Sequence, residues 1–272
     1  MKHILPLLLS VISLAFIIKE DPNTFPIVNH TFSKGEHLEY KINFGYFTVG
    51  KANMKVYEDT YTINNRPCYK MDVFGKTSGA VDWVAKINDN WGAYIDTAAL
   101  LPHISYRNIQ ENNYRKQEIV RFDHLTNLVE TKVMNNETGE YKEPEYFQAP
   151  NNVRDMIAGY LYLRSVKFKK MRIGDTLKIN AFFENTVYDF AIIYKGKEDI
   201  KTKVGTFRAL KLVPIMPDNK LFSGENAITL WMSDDENRVP LKISANMVVG
   251  SVGCELVNYS GLKNEATFFR KK

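Results

Sequence analysis

Residues 35–56 read GEHLEYKINFGYFTVGKANMKV, and this stretch decides the fold class. Leu38, Tyr40, Ile42 and Phe44 alternate with His37, Glu39, Lys41 and Asn43. Ala52, Met54 and Val56 then alternate with Lys51, Asn53 and Lys55. Successive side chains of a strand point to opposite faces, so each arm has one apolar and one polar face. The pattern predicts a β-hairpin over 35–57, turning near Val49-Gly50, in a sheet that buries one side.

The alternation runs on through Tyr69, Met71 and Val73. A break over 77–86 suits a short helix or a crossing loop, and a strand resumes at 91–95. Further strands are expected over 101–110, 114–122 and 127–133, then over 176–183, 187–194, 205–214, 228–232, 240–248 and 251–257. Gly196, Gly205, Asp218-Asn219 and the run Asp234-Asp235-Glu236-Asn237 supply turn chemistry. Short strands at this spacing favour an antiparallel meander.

One segment breaks the pattern. Pro150, Asn151 and Asn152 are helix-start residues, Asp155 suits a first turn, and Val153, Met156, Ile157, Tyr160 and Leu161 share a helical face. A helix is expected over 151–166. The predicted fold is mainly β: a strongly curved antiparallel sheet, half-open barrel or sandwich, wrapping one central helix. Residues 35–272 read as a single β-rich domain with that helix between two sheet halves, preceded by an irregular lead-in over 19–34.

Residues 1–18 carry Lys2 and His3 before an apolar run, with Ser13 and Ala15 as a small-x-small cleavage site. The run falls short of the ~20 apolar residues that span a bilayer. A cleaved signal peptide is expected, with export to the periplasm or beyond and no transmembrane span once it is removed; retention as an anchor is the alternative. The formal charge of +5 is spread over scattered lysines and arginines. A nucleic-acid binder concentrates them on one face, so nucleic acid is set aside as a partner. Cys68 and Cys254 are the two cysteines. An oxidising compartment permits one disulfide between them, and two buried free thiols are the alternative.

Arg164 is the outstanding candidate for function. On the wheel it falls on the apolar face beside Val153, Ile157 and Tyr160. A buried charge needs a partner. It either points into a cavity to meet an anionic ligand group, or sits in the last helical turn with its head snorkelling or paired to an acid. Tyr160, Trp83, Trp231, Tyr40 and Phe44 are candidate lining residues for an apolar pocket, with ordinary core packing as the alternative. Asp155 reads as a helix-start carboxylate on the face opposite Arg164, and the acidic run 234–236 as a tight turn rather than a calcium loop. The five histidines form no zinc motif, and there is no GxSxG elbow, GxGxxG or P-loop. No catalytic residue, metal ligand or cofactor is nominated, and the reading leans away from an enzyme.

The order of several motifs resembles an exported bacterial family, domain-of-unknown-function family 3108. The carrying residues are Gly35-Glu36, Leu38, Tyr40, Ile42, Phe44-Gly45 and Gly50; Leu101-Pro102; Asp155 to Arg164; Gly205, Phe207 and Ala209; and Leu230 to Asp235 leading to Arg238-Val239-Pro240. The resemblance implies an envelope or periplasmic β-rich protein from a Bacteroides-like bacterium, with no established activity to carry over. By analogy its architecture is similar to the half-open barrels of lipoprotein carriers. Three functions are therefore weighed: non-catalytic binding or carriage of a lipophilic or acyl ligand; a structural or assembly protein of the envelope with a protein partner; and a hydrolase of envelope polymers.

Overall fold

The structure is a computed structural model and describes residues 26–215, 227–248 and 250–267. The expected leader, Pro22 and the Asp218-Asn219 turn lie outside the described residues. The N-terminal strands are β1 (His37–Phe44), β2 (Phe47–Val56), β3 (Tyr61–Ile63), β4 (Arg66–Thr77), β5 (Asn88–Asp96), β6 (Pro102–Glu111), β7 (Tyr114–Asp123), β8 (Leu128–Val133) and β9 (Glu145–Gln148). One α-helix among the described residues, α1 (Met156–Ser165), follows. The chain then forms β10 (Thr176–Phe183), β11 (Thr186–Thr202), β12 (Gly205–Ile215), β13 (Ile228–Ser233), β14 (Pro240–Asn246) and β15 (Ser251–Ser260).

All of these strands belong to one 15-stranded sheet in the order β10-β11-β12-β13-β14-β15-β1-β2-β4-β5-β6-β7-β8-β9, with the short β3 on β4. Every named pairing is antiparallel, and the two halves of the chain join where β15 meets β1. The mainly β, curved-sheet expectation holds.

Four local expectations are corrected. The first hairpin turns at Gly45-Tyr46, where Gly45 takes φ +56, and not at Val49-Gly50. Gly50 instead lies inside β2, where β4 comes so close that a Cβ would sit 2.6 Å from the Lys76 carbonyl oxygen. Gly196 does not end a strand. Its φ of +95 makes a bulge between Tyr194 and Lys197, and β11 bends there and continues to Thr202. The helix begins at Met156 rather than 151, because Asp155 is its N-cap: the carboxylate accepts the backbone N–H groups of Ile157 and Ala158 at 3.2 and 3.0 Å. Met156, expected on the apolar face, is exposed.

Residues before the cap do other work. Arg154 forms a parallel bridge with Ala181 of β10, its N–H donating to the Asn180 carbonyl at 2.9 Å and its carbonyl accepting from Phe182 at 2.8 Å. The segment between β9 and α1 thus meets the edge strand β10 through one short backbone bridge, and no ladder joins β9 to β10 among the described residues. Side chains seal the rest of this seam. Phe182 packs edge-on against Phe122, with ring centroids 6.2 Å apart, and against Phe147 at 5.5 Å. The outcome is barrel-like without strand closure.

The helix fills the concave side. Ile157, Ala158 and Leu161 pack with Phe32, Val56, Met71, Ala93, Ile95 and Leu100. Leu163 packs on the other side with Phe168, Ile179, Ile192, Leu210, Leu212 and Met232. Leu38 and Tyr40, the inward residues of the first hairpin, join Phe207, Ala209, Val239, Leu241 and Leu256. The cavity beside the helix N-terminus measures about 30 Å³, roughly the space of one water.

The seam yields a test. Phe182→Ala removes the ring that joins the sheet's edges and is expected to cost about 3–5 kcal/mol, the usual range for a buried Phe. Urea denaturation measures it; a loss under 1 kcal/mol would mean that the seam contributes little to the closed fold.

Candidate functional site

Arg164 is fully buried in the last turn of α1. Its guanidinium carries five N–H donors, and protein acceptors take all of them. Nε donates to the Asn237 carbonyl at 3.1 Å. Nη1 donates to Glu36 Oε1 at 2.5 Å and to the Tyr160 hydroxyl at 3.1 Å. Nη2 donates to Glu36 Oε2 at 2.8 Å, to the Thr31 carbonyl at 2.9 Å and to the Asn237 carbonyl at 2.8 Å. The Glu36 carboxylate, itself 2% exposed, meets the arginine with both oxygens, the strong fork-to-fork geometry. Burial alone pulls the Arg164 pKa down, but Tyr160 and Glu36 outweigh it, and the net shift is upward. The cation is permanent.

The node reaches further. The Asn237 side chain donates to the Asn264 carbonyl at 3.0 Å and accepts the Asn264 N–H at 2.9 Å. Asn264 donates to the His30 carbonyl, and Lys263 to the Asn29 carbonyl. The lead-in, β1, α1, the β13–β14 turn and the C-terminal segment are therefore tied at one guanidinium.

Of the two readings of Arg164, the geometry matches the second, a last-turn arginine paired to an acid, and every guanidinium donor has a protein acceptor. The other candidate lining residues do not converge on a pocket. Tyr160 shares the node, and the Tyr40 hydroxyl donates to the Pro240 carbonyl at 3.0 Å within the core. Trp231 donates to Glu198 and lies between Lys211 and Lys242. Trp83 is 93% exposed, and Phe44 is exposed at the end of β1. The two cysteines are free. Cys68 on β4 and Cys254 on β15 are separated by β1 and β2, and strand spacings of about 4.8 Å place them beyond disulfide reach. Burial pushes both thiols up to about 12, so neither is a reactive thiolate.

A second polar cluster was not anticipated. Arg107 lies beside the stacked rings of Trp91 and Phe183, 5.1 and 5.0 Å from their centroids. Its Nε donates to Glu118 at 2.6 Å and its Nη1 to Glu184 at 2.6 Å. Lys116 also meets Glu118 and Glu184, at 3.2 and 2.8 Å. Burial raises the Glu184 pKa, but Arg107 and Lys116 overcome it and hold the carboxyl at about 2. These charges neutralise one another across the seam. Asp155 lines the same small cavity, and burial lifts its carboxyl to about 6 against two backbone N–H donors. Arg154 is also buried, its guanidinium 4.0 Å from the Tyr162 ring centroid, with no carboxylate partner among the described residues; burial lowers its pKa to about 10. The acidic run forms a turn, as expected: Asp235 accepts from the Ser233 hydroxyl and from the N–H groups of Asn237 and Arg238. Among the described residues no three metal-ligating side chains gather, and no helix is long and apolar enough to cross a membrane.

Two tests follow from the buried charges. Arg164→Met strands the Glu36 carboxylate and is expected to cost about 3–5 kcal/mol, while the double variant Arg164→Met, Glu36→Leu regains most of that loss. Urea denaturation of the single and double variants measures the coupling; additive losses would mean the pair is not a unit. The raised Asp155 pKa means that the native state holds its proton more tightly than the unfolded chain does. Stability therefore falls as pH rises from about 4 to about 6 through this group. Asp155→Asn keeps a capping side chain and removes that cost. It should match the wild type near pH 4 and exceed it at pH 7 by roughly 2–3 kcal/mol. Chemical denaturation at the two pH values checks this, and an equal gap at both would refute it.

Comparison with known proteins agrees with this architecture. A family described as "Protein of unknown function (DUF3108)" matches residues 39–257. A β-barrel-like protein of another unknown-function family, DUF1849, from Brucella abortus superposes with a TM-score of 0.55 at 7% identity, over 85% of this chain and 98% of that one; the likeness is one of fold. A candidate lipoprotein from Parabacteroides distasonis, 12% identical, aligns over 87% of this chain and 99% of its own with a TM-score of 0.33. A candidate exported protein with a YmcC-like fold from Bacteroides fragilis, 9% identical, aligns over 87% and 99% with a TM-score of 0.32. No curated protein matches.

Proposed function

The chain belongs to the unknown-function family DUF3108, and from that premise we propose that it is an exported, non-catalytic structural or assembly protein of the bacterial cell envelope, acting through its outer surface. The observation that carries this reading is the saturation of Arg164 by Glu36, Tyr160 and two backbone carbonyls inside a filled interior. A polar anchor for a ligand needs a free donor and a hollow of several hundred Å³. The cavity beside the helix N-terminus, about 30 Å³, is too small for an acyl chain. Support for export comes from the apolar leader over 1–18. Catalysis finds no support in the polar clusters. Arg107, Glu118, Glu184 and Lys116 are spent on one another, and Asp155 is spent on its helix.

Carriage of a lipophilic ligand is the second reading, and the unladdered seam between β9 and β10 favours it. It requires that seam to part and the core around α1 to open. Native mass spectrometry after gentle purification separates the two. The scaffold reading expects the mass of the polypeptide alone and no uptake of fatty-acid or phospholipid probes. A stoichiometric lipid adduct would overturn it in favour of carriage.

A further inference from the structure

One rim of the sheet carries side chains that the fold does not use. The end of β1, the start of β2, the end of β4, the start of β5, the end of β14 and the start of β15 all lie at this rim, on neighbouring strands. Their connections touch: Gly45 N–H donates to the Ser251 carbonyl, Ser78 N–H to the Val49 carbonyl and Thr77 N–H to the Ile87 carbonyl. On these connections Tyr46, Phe47, Trp83, Val84 and Val248 are all exposed by about two thirds or more, and Phe44 lies at their base. Trp83 and Val84 belong to a 3-10 helix, Gly79–Trp83, and its C-cap, where no residue is buried. Around this apolar set stand Lys51, Lys76 and Lys86, all exposed and in no ion pair among the described residues. Lys51 and Lys76 are register partners on β2 and β4. Of the acids at this rim, Asp82 accepts from the Thr77 hydroxyl, and Glu111, bridged to Ile87 beside Lys86, interacts with Asp89.

We propose that this rim is a docking surface for an anionic lipid bilayer. Tyrosine and tryptophan are suited to the headgroup level, where one side of the ring is apolar and the other wet. Apolar side chains on protruding turns enter the acyl boundary without any pocket. Unpaired lysines beside them add attraction to anionic headgroups. The choice of a bilayer over a protein partner rests on the exposed aromatics lying beside unpaired lysines on adjoining turns. The proposal is independent of what the interior holds, since none of these side chains takes part in the helix-centred core.

Vesicle cosedimentation tests it, using the full chain with its leader in the same state in every variant. The wild type is expected to bind phosphatidylglycerol vesicles, to bind phosphatidylcholine vesicles several-fold more weakly, and to lose affinity with added salt. Tryptophan emission should shift to the blue on binding, and that shift should vanish in Trp83→Phe. Phe47→Ser with Trp83→Ser should lower affinity by roughly tenfold or more, with an unchanged urea midpoint. Lys51→Glu with Lys76→Glu should weaken binding to anionic vesicles alone. The proposal is overturned by absence of binding to either vesicle, or by binding that the rim substitutions leave unchanged. It is equally overturned if those substitutions abolish self-association or binding to a protein partner while lipid binding stays as it was.

Discussion

The pairing of Arg164 with Glu36 is the interaction around which this molecule is arranged. A charge in an apolar interior must be met by another charge and by dipoles, and breaking such a pair is far more costly than never having built it. Here the partner carboxylate comes from the threshold of the first strand, and the remaining acceptors from the lead-in and the β13–β14 turn. The helix can sit in only one position that satisfies all of them.

That arrangement explains why the helix divides the core as it does. Ile157, Ala158 and Leu161 face the N-terminal strands and Leu163 the C-terminal ones. A sheet of this length curls through its natural twist, and a single helix on its concave side suffices to fill the space. Closure then needs little backbone. One parallel bridge, three phenylalanines and a compact charge cluster hold the edges together.

Much of the sheet was legible in the sequence because burial on one face imposes a period of two. The strands over 101–133 and 176–257 follow that period closely. What escaped notice depended on distance. Glu36 stood in the quoted opening stretch, yet nothing local marks it as the partner of a residue beyond position 160. Arg107 and Glu118 were nearer to being readable: the tight β6–β7 connection sets their register, and they face one another across the two strands. Gly50 and Gly196 misled because glycine serves close approach and bulges as readily as turns. Tyr57, Tyr61 and Tyr94 gather around Lys70, with Asp72 accepting from Tyr57 and Tyr106, an arrangement no local pattern signals. Aromatic abundance here serves surface ladders as well as core.

The adjacency of β15 and β1 has a consequence for how the molecule comes into being. Ile42 pairs with Cys254, so the sheet becomes continuous only when opposite ends of the polypeptide meet. Such long-range pairings carry the full entropy of loop closure and form late. Until the last strand arrives, β1 offers an unpaired backbone edge, and the Arg164 guanidinium lacks the carbonyl of Asn237. Joining β15 to β1 and completing the acceptors of Arg164 are therefore linked, because both draw on strands from each half of the sheet.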